Sequence, residues 1–353
     1  MDSKNPCGIK GIAFVELAAS PDLGRGALGN LLAAFGFSRT HRHRRAAVDF
    51  YQQGQIRFLV NAEPGSFAQR FAGLHGPSIP MIGLYVEDPT AALAAALARG
   101  AVPWLGAGLP YDIPAVLGVG DSLIGFVGLE DAGQLGSGLD ARFMSAFEDH
   151  PEALHVPQNG FRLIDHLTNN VERGTLAHWS AFYQQVFGFT EVRSFDIRGE
   201  RTGLYSHALR SPCGTFCIPI NEGTEEASQI EEYLRAYRGA GIQHLAFLTD
   251  DLLGGLDRMS GGPIRFLDIE PSYYATVFDR VPGVVEDHDR IRGRQVLVDG
   301  DPEGYLLQIF TRNLIGPIFF ELIQRRNHLS FGEGNFGALF RSIERDQERR
   351  GTL

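Results

Sequence analysis

The sequence predicts an α+β fold in which tandem βαβββ modules form two open, barrel-like domains. Three observations lead to this fold class: the length of the chain, an internal repeat, and the order of its segments. A chain of 353 residues that is 44% hydrophobic can bury a large core, and its length favours two domains. Several strand-like segments follow each predicted helix, which favours antiparallel, barrel-like sheets over a parallel α/β sheet.

The first part of the repeat lies in two apolar segments, GIAFVELAAS and FRLIDHLTNN. Both are typical of a strand that opens a unit, and in register Glu16 of the first segment falls on His166 of the second. Each segment precedes a predicted helix, LGNLLAAFGFS in the first copy and AHWSAFYQQVFGF in the second. These helices are predicted to end at Gly36 and Gly188, because glycine just past the last helical turn is a common stop signal.

The second part of the repeat lies in SIPMIGLYVEDPTAALAAALARGAV, from Ser78, and GIQHLAFLTDDLLGGLDRMSGGPI, from Gly241. Both predict a short strand, an acidic turn and an amphipathic helix, and in register Met81 falls on His244. Alternating apolar stretches such as AAVDFYQQGQIRFLVNA and TGLYSHALRSPCGTFCIPIN predict hairpins after the helices. The pattern therefore predicts four βαβββ modules, two in each domain.

A polar, proline-containing stretch around residues 148–159 separates the two copies. The domains are therefore predicted to span residues 1–153 and 154–353. Near the end of the second domain, NFGALFRSIERDQERR places four apolar residues on one helical face, namely Phe336, Leu339, Phe340 and Ile343. This amphipathic helix is predicted to cap the second barrel and to act as a lid that excludes water.

The charge balance argues against nucleic acid as a partner. The chain has 32 Lys and Arg residues against 42 Asp and Glu residues, a formal net charge of −10. Neutralising phosphates requires clustered basic residues, and the chain has a single basic run, from Arg39 to Arg45. We expect this run to be a solvated strand or turn near a sheet edge, where charges suppress aggregation.

Apolar runs and cysteines indicate the compartment. No apolar run approaches the roughly 18 residues of a membrane span, and the segment MDSKNPCGIK has no apolar signal region. The three cysteines, Cys7, Cys213 and Cys217, form an odd set without paired metal-type spacing. The sequence therefore predicts a cytoplasmic protein with free thiols and without a membrane partner.

Three polar residues on apolar strands form a candidate metal site. His166 and His244 lie in the opening strands of the two modules of the second domain, and Glu321 lies in the apolar segment GPIFFELIQR. An ionised carboxylate in such a strand is costly unless it is paired or bound to a metal. Two imidazoles and one carboxylate on one face leave open positions on an octahedral ion, which is typical of Fe(II) oxygenases.

The same repeat predicts one site and no more. The first domain carries Glu16 and Met81 where the second carries the two histidines, so the first domain is expected to be free of metal. Taken singly, each histidine is more often a hydrogen-bonded core or surface residue than a ligand. His328, seven residues after Glu321, is the alternative ligand, but it follows a charged turn and is expected to be a surface residue.

The segments LIDHLTNNV, IPINE, GIQHLAF, GYLLQIFT, PIFFELIQR and FGEGNF occur in this order. Together they resemble the 4-hydroxyphenylpyruvate dioxygenase family of the vicinal-oxygen-chelate, or glyoxalase-like, superfamily. The resemblance covers nearly the whole chain and is densest from Arg162 to Arg345. It implies that His166, His244 and Glu321 hold one Fe(II) ion per chain.

The resemblance also implies a substrate pocket. Its expected members, matched motif by motif, are Ser206, Pro219, Asn221, Gln229, Gln243, Gln308, Phe310, Phe319, Phe331 and Phe336. The polar members are expected to bind the phenol and the oxo acid of a substrate, and the phenylalanines to form an aromatic wall. Catalytic roles are expected for Gln243, Gln308 and Phe336. Core packing is the alternative for the phenylalanines, because Phe is among the commonest buried residues.

The activity implied by the resemblance is the conversion of 4-hydroxyphenylpyruvate and O₂ to homogentisate and CO₂, in tyrosine catabolism. The nearest alternative is 4-hydroxymandelate synthase, which oxidises the benzylic carbon of the same substrate; Pro219 and Asn221 fit the dioxygenase pattern better. A non-catalytic small-molecule binding protein of the same superfamily is the alternative from another class. The resemblance further implies a homodimer or homotetramer.

Overall fold

The computed structural model describes residues 4–129, 138–199 and 201–351. Residues 1–3 and 130–137 of the first predicted domain, and residues 200 and 352–353 of the second, lie outside the described residues. The described chain forms two eight-stranded sheets that mix parallel and antiparallel strands, with helices between the strands. The α+β fold class predicted from the repeat is therefore confirmed.

The first sheet is built from the N-terminal part of the chain. Its strands are β1 (Ile9–Ala18), β2 (Ser38–His43), β3 (Val48–Gln53), β4 (Ile56–Asn61), β5 (Ser78–Val86), β6 (Ala115–Leu117), β7 (Leu123–Gly128) and β8 (Phe147–Leu154). The accompanying helices are α1 (Arg25–Ala34), α2 (Phe67–His75), α3 (Pro89–Ala98) and α4 (Ala141–Met144). The strands lie in the order β6-β7-β5-β1-β4-β3-β2-β8.

The second sheet follows the same plan. Its strands are β9 (Phe161–Val171), β10 (Thr190–Arg198), β11 (Gly203–Arg210), β12 (Cys217–Gly223), β13 (Gly241–Thr249), β14 (Leu297–Asp301), β15 (Gly304–Phe310) and β16 (Phe319–Arg326). The helices are α5 (Leu176–Phe187), α6 (Gln229–Tyr237), α7 (Leu252–Arg258), α8 (Val277–Arg280), α9 (His288–Arg294) and α10 (Phe336–Arg350). The strands lie in the order β10-β11-β12-β9-β13-β16-β15-β14.

The repeat is visible at the centre of both sheets. β1 pairs antiparallel with β5 and parallel with β4, and β9 pairs in the same way with β13 and β12. Gly36 and Gly188 follow α1 and α5 with φ values of 84° and 77°, the left-handed region that glycine favours. A Cβ at Gly36 would also lie 2.8 Å from the carbonyl oxygen of Pro157, so the stop glycine doubles as a close contact with the linker.

Strand β8 is the detail that the repeat pattern did not predict. It leaves β6 and β7 and pairs with β2 at the opposite edge of the first sheet. β2 carries most of the basic run, and Arg42 and Arg44 bind Glu148 of β8 at 2.7 and 3.2 Å. Opposite charges on facing strands stabilise their pairing. The basic run thus lies in a strand next to the sheet edge and is neutralised by its neighbour.

Aromatic rings join the two sheets into one core. Phe35 and Phe58 of the N-terminal part contact Phe320 at ring distances of 5.2 and 6.3 Å, and Phe58 also meets Phe247 at 6.0 Å. All four rings are almost completely buried. Buried aromatic pairs contribute area and a preferred geometry, so this cluster fixes how the second sheet sits against the first.

One amide side chain accepts three hydrogen bonds from the linker between the sheets. β8 ends at Leu154 and β9 begins at Phe161. The Gln53 Oε1 atom accepts the backbone N–H groups of Asn159, Gly160 and Phe161 at 2.7, 3.0 and 3.2 Å. The predicted domain boundary between residues 153 and 154 stays a prediction.

Two further sequence features have structural counterparts. None of the helices in the described ranges combines the length and the apolarity that a membrane span requires. The three cysteines are free thiols, with Cys7 buried and Cys213 and Cys217 partly exposed.

Glu16 of β1 is an ionisable group deep inside the first domain. It is 1% exposed, and its Oε1 atom accepts hydrogen bonds from the Asn61 Nδ2 atom and the Tyr111 hydroxyl, both at 2.8 Å. Its Oε2 atom is buried without a partner. Burial raises the pKa of Glu16 to about 7, although the two hydrogen bonds favour the ionised form.

We expect this carboxyl to make the protein less stable as the pH rises from about 4.5 to 7. The folded-state pKa lies above the usual value, so the folded chain holds the proton more tightly and loses about 3 kcal/mol when the proton leaves. Glu16→Gln should remove this dependence and raise the free energy of unfolding at pH 8. Urea unfolding at pH 4.5 and pH 8 measures the free energy of unfolding, and the exposed Glu152→Gln is the control. If Glu16→Gln keeps the pH dependence of the wild type, Glu16 is not its cause.

Candidate metal centre and active site

Three neighbouring strands of the second sheet bring His166, His244 and Glu321 to one face. His166 of β9 lies opposite Ala246 of the antiparallel β13, and Glu321 of the parallel β16 lies beside the same Ala246. His244 precedes Ala246 by two residues and points to the same face, because side chains alternate along a strand. The strand register therefore assembles a cluster from residues that are far apart in the sequence.

The spacing of the three side chains fits a metal ion. His166 Nε2 lies 3.1 Å from Glu321 Oε2 and 3.4 Å from His244 Nε2, and His244 Nε2 lies 3.6 Å from Glu321 Oε2. Adjacent ligands of an octahedral ion with bonds of about 2.1 Å are about 3.0 Å apart. Within residues 4–129, 138–199 and 201–351, these three form the one cluster of His, Cys, Asp or Glu side chains with the spacing of a metal site.

The burial and charge of the three side chains also fit a metal ion. His166, His244 and Glu321 are 4%, 9% and 2% exposed. Burial opposes a charge on His166, but the carboxylates of Glu321 and Asp165 outweigh it and raise the pKa of His166 to about 9. Burial, together with His166, lowers the pKa of His244 well below its usual value, so this imidazole stays neutral. The buried carboxylate therefore demands a proton or a cation beside it, and the three donor atoms fit a cation.

Hydrogen bonds at the far side of each ring set the direction of the ligand atoms. His166 Nδ1 donates to Asp165 Oδ2 at 2.8 Å, and His244 Nδ1 donates to Gln243 Oε1 at 3.1 Å. With Nδ1 carrying the proton, each Nε2 atom presents its lone pair to the cluster. Gln243, expected from the resemblance to be a pocket residue, thus also orients a candidate ligand.

Asp165 is itself clamped by an arginine. Arg325 donates from Nε to Asp165 Oδ1 at 2.7 Å and from Nη2 to Oδ2 at 2.8 Å, a two-point contact inside the protein. The same guanidinium donates from Nη1 to the carbonyl oxygens of His328 and Ser330, at 3.1 and 2.6 Å. Arg325 therefore links the orientation of His166 to the loop that precedes α10.

A cavity of about 100 Å³ opens beside the cluster. It brings together all ten side chains that the resemblance assigned to a substrate pocket, namely Ser206, Pro219, Asn221, Gln229, Gln243, Gln308, Phe310, Phe319, Phe331 and Phe336. Two of the rings pack directly on the candidate ligands: Phe319 stacks on His244 at 4.8 Å, and Phe331 meets His166 edge-on at 5.9 Å. Their individual roles in binding stay predictions.

Helix α10 covers the cavity with the predicted apolar face. Phe336, Leu339, Phe340 and Ile343 all line the cavity, and Phe336 contacts Phe195 of β10 at 5.2 Å. The helix is fastened at its sides: Glu344 accepts from the Thr202 hydroxyl at 3.2 Å, and the Ser342 hydroxyl donates to the Asp268 carbonyl at 2.8 Å. The position of α10 is therefore that of the cap expected from the sequence.

Some residues of the site were not predicted from the sequence. Thr168 Oγ1 lies 3.1 Å from His244 Nε2, and its place two residues after His166 on the same face was the available signal. Phe195 and Leu204 complete the apolar wall from β10 and β11. His328, the alternative ligand, lies outside the cluster, with its Nδ1 atom 3.5 Å from Asp301.

A larger cavity of about 510 Å³ adjoins the site. Four residues line both cavities, namely Gln229, Gln243, Phe319 and Ile343. The larger cavity continues between α6, α10 and residues of the first domain that include Asp22 and Pro77. The two cavities therefore meet at residues of β13, β16, α6 and α10.

We expect Asp165→Asn to weaken metal binding about 10- to 100-fold while the chain stays folded, because His166 loses the carboxylate that orients its ring. Anaerobic titration with Fe(II), followed by equilibrium dialysis, gives the affinity without any turnover. The exposed Asp250→Asn, which removes only an ion pair with Arg162, is the matched control. An unchanged affinity in Asp165→Asn would show that this contact does not position the ligand.

Two family profiles match the chain. One is described as hydroxyphenylpyruvate dioxygenase, N-terminal, and covers residues 3–137. The other is described as the glyoxalase/bleomycin resistance protein/dioxygenase superfamily and covers residues 163–309. Among solved structures, a triple mutant of 4-hydroxymandelate synthase from Streptomyces coelicolor is similar, with a TM-score of 0.77 and 27% identity over 96% of this chain and 99% of that one.

Full-length relatives are closer in sequence. Protein MelA of Shewanella colwelliana is 51% identical over 99% of both chains, and hemolysin VllY of Vibrio vulnificus is 43% identical over 100% of this chain and 99% of its own. A 4-hydroxyphenylpyruvate dioxygenase of Legionella pneumophila is 40% identical, also over 100% and 99%. The chain therefore belongs to the 4-hydroxyphenylpyruvate dioxygenase family, and it is a metal-dependent oxidoreductase of the glyoxalase/bleomycin resistance protein/dioxygenase superfamily.

Proposed function

We propose that the chain is an Fe(II)-dependent dioxygenase that converts 4-hydroxyphenylpyruvate and O₂ to homogentisate and CO₂ in tyrosine breakdown. The observation that carries the proposal is the cluster of His166, His244 and Glu321 beside a cavity of aromatic and amide side chains. Two imidazoles and one carboxylate on one face are the ligand set of Fe(II) oxygenases. Relatives named 4-hydroxyphenylpyruvate dioxygenase, at 40% and 41% identity over nearly the whole chain, support this substrate.

The protein holds the ion and leaves room beside it. His166 Nε2, His244 Nε2 and Glu321 would hold one Fe(II) per chain, and Asp165 and Gln243 fix the two rings. When bound, Fe(II) supplies open positions for the 2-oxo acid of the substrate and for O₂. Because the oxo acid is part of the substrate, no separate 2-oxoglutarate is expected.

Gln308 is placed to orient the oxo acid end. Its Nε2 atom lies 3.5 Å from Glu321 Oε1, and its Oε1 atom accepts from Asn335 Nδ2 at 3.2 Å. Asn335 thereby fixes which end of the amide faces the cluster, so that the donor side is presented to a bound carboxylate. A preset amide loses little freedom when the substrate arrives, which favours one orientation of the acid.

Ser206 and Asn221 are placed for the other end of the substrate. They lie opposite each other on β11 and β12, and Asn221 pairs with Asn170 of β9. Asn170 is four residues beyond His166, roughly 13 Å along the strand. A polar pair at this distance from the candidate ligands suits the phenol hydroxyl, while the rings of Phe310 and Phe319, which line the same cavity, suit its aromatic ring.

The cap and the adjoining cavity complete the proposal. Phe336 and Phe340 of α10 shield the reacting end from water, which protects a reactive oxidant from side reactions. The larger cavity offers substrate a path to the cluster past Gln243. We expect the enzyme to self-associate as a dimer or tetramer and to work in the cytoplasm.

The alternative product is 4-hydroxymandelate, formed by oxidation of the benzylic carbon of the same substrate. The structural similarity to 4-hydroxymandelate synthase, at a TM-score of 0.77, supports this alternative. Pro219 and Asn221 favour the dioxygenase, because they match the IPIN segment of that family. Both lie in the wall of the cavity beside the candidate ligands.

Product identification tests the proposed reaction directly. Iron-loaded protein supplied with 4-hydroxyphenylpyruvate and O₂ should consume one O₂ for each homogentisate and CO₂ formed, as measured with an oxygen electrode and by mass spectrometry. 4-Hydroxymandelate as the product would replace the proposed activity with the synthase. If no O₂ is consumed by the iron-loaded protein, the non-catalytic binding function is the correct one.

We expect Glu321→Ala to lose iron and at least about 1000-fold in turnover while the chain stays folded, because its carboxylate completes the ligand set. A single electrostatic group at a reacting centre contributes on the order of 10²–10³-fold to the rate. Metal analysis and circular dichroism accompany the activity assay. Glu226→Ala, at an exposed position of the same domain, is the control. Full activity of Glu321→Ala would mean that another group holds the metal.

A further inference from the structure

A further pocket lies between the two domains and shares no lining residue with the candidate active site. It has a volume of about 60 Å³. Lys10, Arg57 and Tyr85 line it from the first domain, and Ile164, Thr215 and Phe216 line it from the second. We call it the interface pocket. Its lining combines apolar side chains with cationic and hydroxyl groups.

Arg57 is a buried charge with too few partners. It lies in β4 and is 5% exposed, a rare position for an unpaired arginine. The Nη1 atom donates to the Gln55 carbonyl at 3.1 Å, and the guanidinium lies over the Tyr85 ring, 5.8 Å from its centre. Among the described residues, no carboxylate lies within ion-pair distance of this guanidinium. A buried cation without an opposite charge is strongly unfavourable, so Arg57 calls for an anion.

Tyr85 supplies a second unsatisfied donor in the same pocket. It is 4% exposed, and its hydroxyl is buried without a hydrogen-bond partner. Burial raises the pKa of Tyr85, against the influence of Arg57, so the hydroxyl keeps its proton and remains a donor. Nearly all buried polar groups in proteins have a partner, and here a hydroxyl without an acceptor lies beside a guanidinium without a counter-charge.

The carboxylates that face this region are already engaged. Glu87 binds Lys10 at 2.6 Å. Asp140, which acts on Tyr85 electrostatically, caps α4 by accepting the Phe143 N–H at 2.7 Å. Neither supplies the counter-charge of Arg57, and the pocket keeps a net positive character.

We propose that the interface pocket binds one small inorganic anion of the size of chloride or bicarbonate, held by the Arg57 guanidinium and the Tyr85 hydroxyl. The pocket is smaller than the cavity beside the candidate metal ligands, and its volume suits a single small anion rather than an aromatic acid. Because β4 belongs to the first domain and Thr215 and Phe216 to the second, the anion would stabilise the contact between the domains. Its effect on stability then follows mass action, since the unfolded chain has no such site.

The test uses the full chain in thermal unfolding at pH 8 and constant ionic strength, with gluconate replaced stepwise by chloride or by bicarbonate. The wild type should show a saturable rise in Tm, about 2 °C at ten times the Kd. Arg57→Met, which keeps an unbranched, flexible stem without the charge, should lose this response. Arg162→Met, at an exposed ion pair, should keep it.

A second variant covers the case in which Arg57→Met does not fold. Tyr85→Phe removes only the hydroxyl and should shift the midpoint of the anion titration about tenfold to higher concentration with the fold intact, a loss comparable to one hydrogen bond to a charged group. A bromide soak of crystals should place an anomalous peak between Arg57 and Tyr85.

The outcomes show whether the site exists and which of the two anions it binds. A response to chloride alone, to bicarbonate alone or to both supports the site and names its occupant. No saturable response in the wild type, or an equal response in Arg57→Met or Tyr85→Phe, overturns the proposal. If the wild type responds to chloride, a bromide peak that appears elsewhere, with none at Arg57, overturns it as well.

Discussion

The second domain depends on one electrostatic constraint, the carboxylate of Glu321 buried in the middle of a sheet. Its strand neighbour Ala246 leaves space on the face where the two imidazoles converge. A buried carboxylate is tolerated only with a proton or a cation beside it. The Asp165 and Arg325 pair extends this network to the loop before α10, so that the ligands, the cap and the cavity wall form one connected unit.

The first domain shows what the same strand plan becomes without imidazoles at the two repeat positions. Glu16 occupies the place of His166 in the repeat, but Asn61 and Tyr111 donate to its carboxyl. Rings then fill the surrounding space, as in the stack of Phe14 on Phe143 at 5.3 Å. In the first domain, a single buried carboxyl held by two hydrogen bonds is part of a packed core. In the second domain, three polar side chains that face one another form a candidate metal centre.

Most of the fold and the three candidate ligands could be predicted from the sequence, because they follow from periodicity, a repeat and recognisable segments. It did not reveal the clamp of Asp165 by Arg325, since that contact joins residues that only strand pairing brings together. The crossing of β8 to β2 was hidden for the same reason. No sequence pattern marked Arg57, whose pocket is lined by residues of both domains. Local patterns predict elements, whereas the partners of buried charges depend on tertiary packing.

The central claim is that one metal ion sits between His166, His244 and Glu321. Anomalous diffraction from crystals of the iron-loaded protein, recorded on both sides of the iron absorption edge, tests it most directly. We predict one peak per chain, about 2.1 Å from the Nε2 atoms of both histidines and from a carboxylate oxygen of Glu321. A peak beside Glu16, a peak coordinated by other side chains, or no iron peak in protein shown to contain iron would contradict the account.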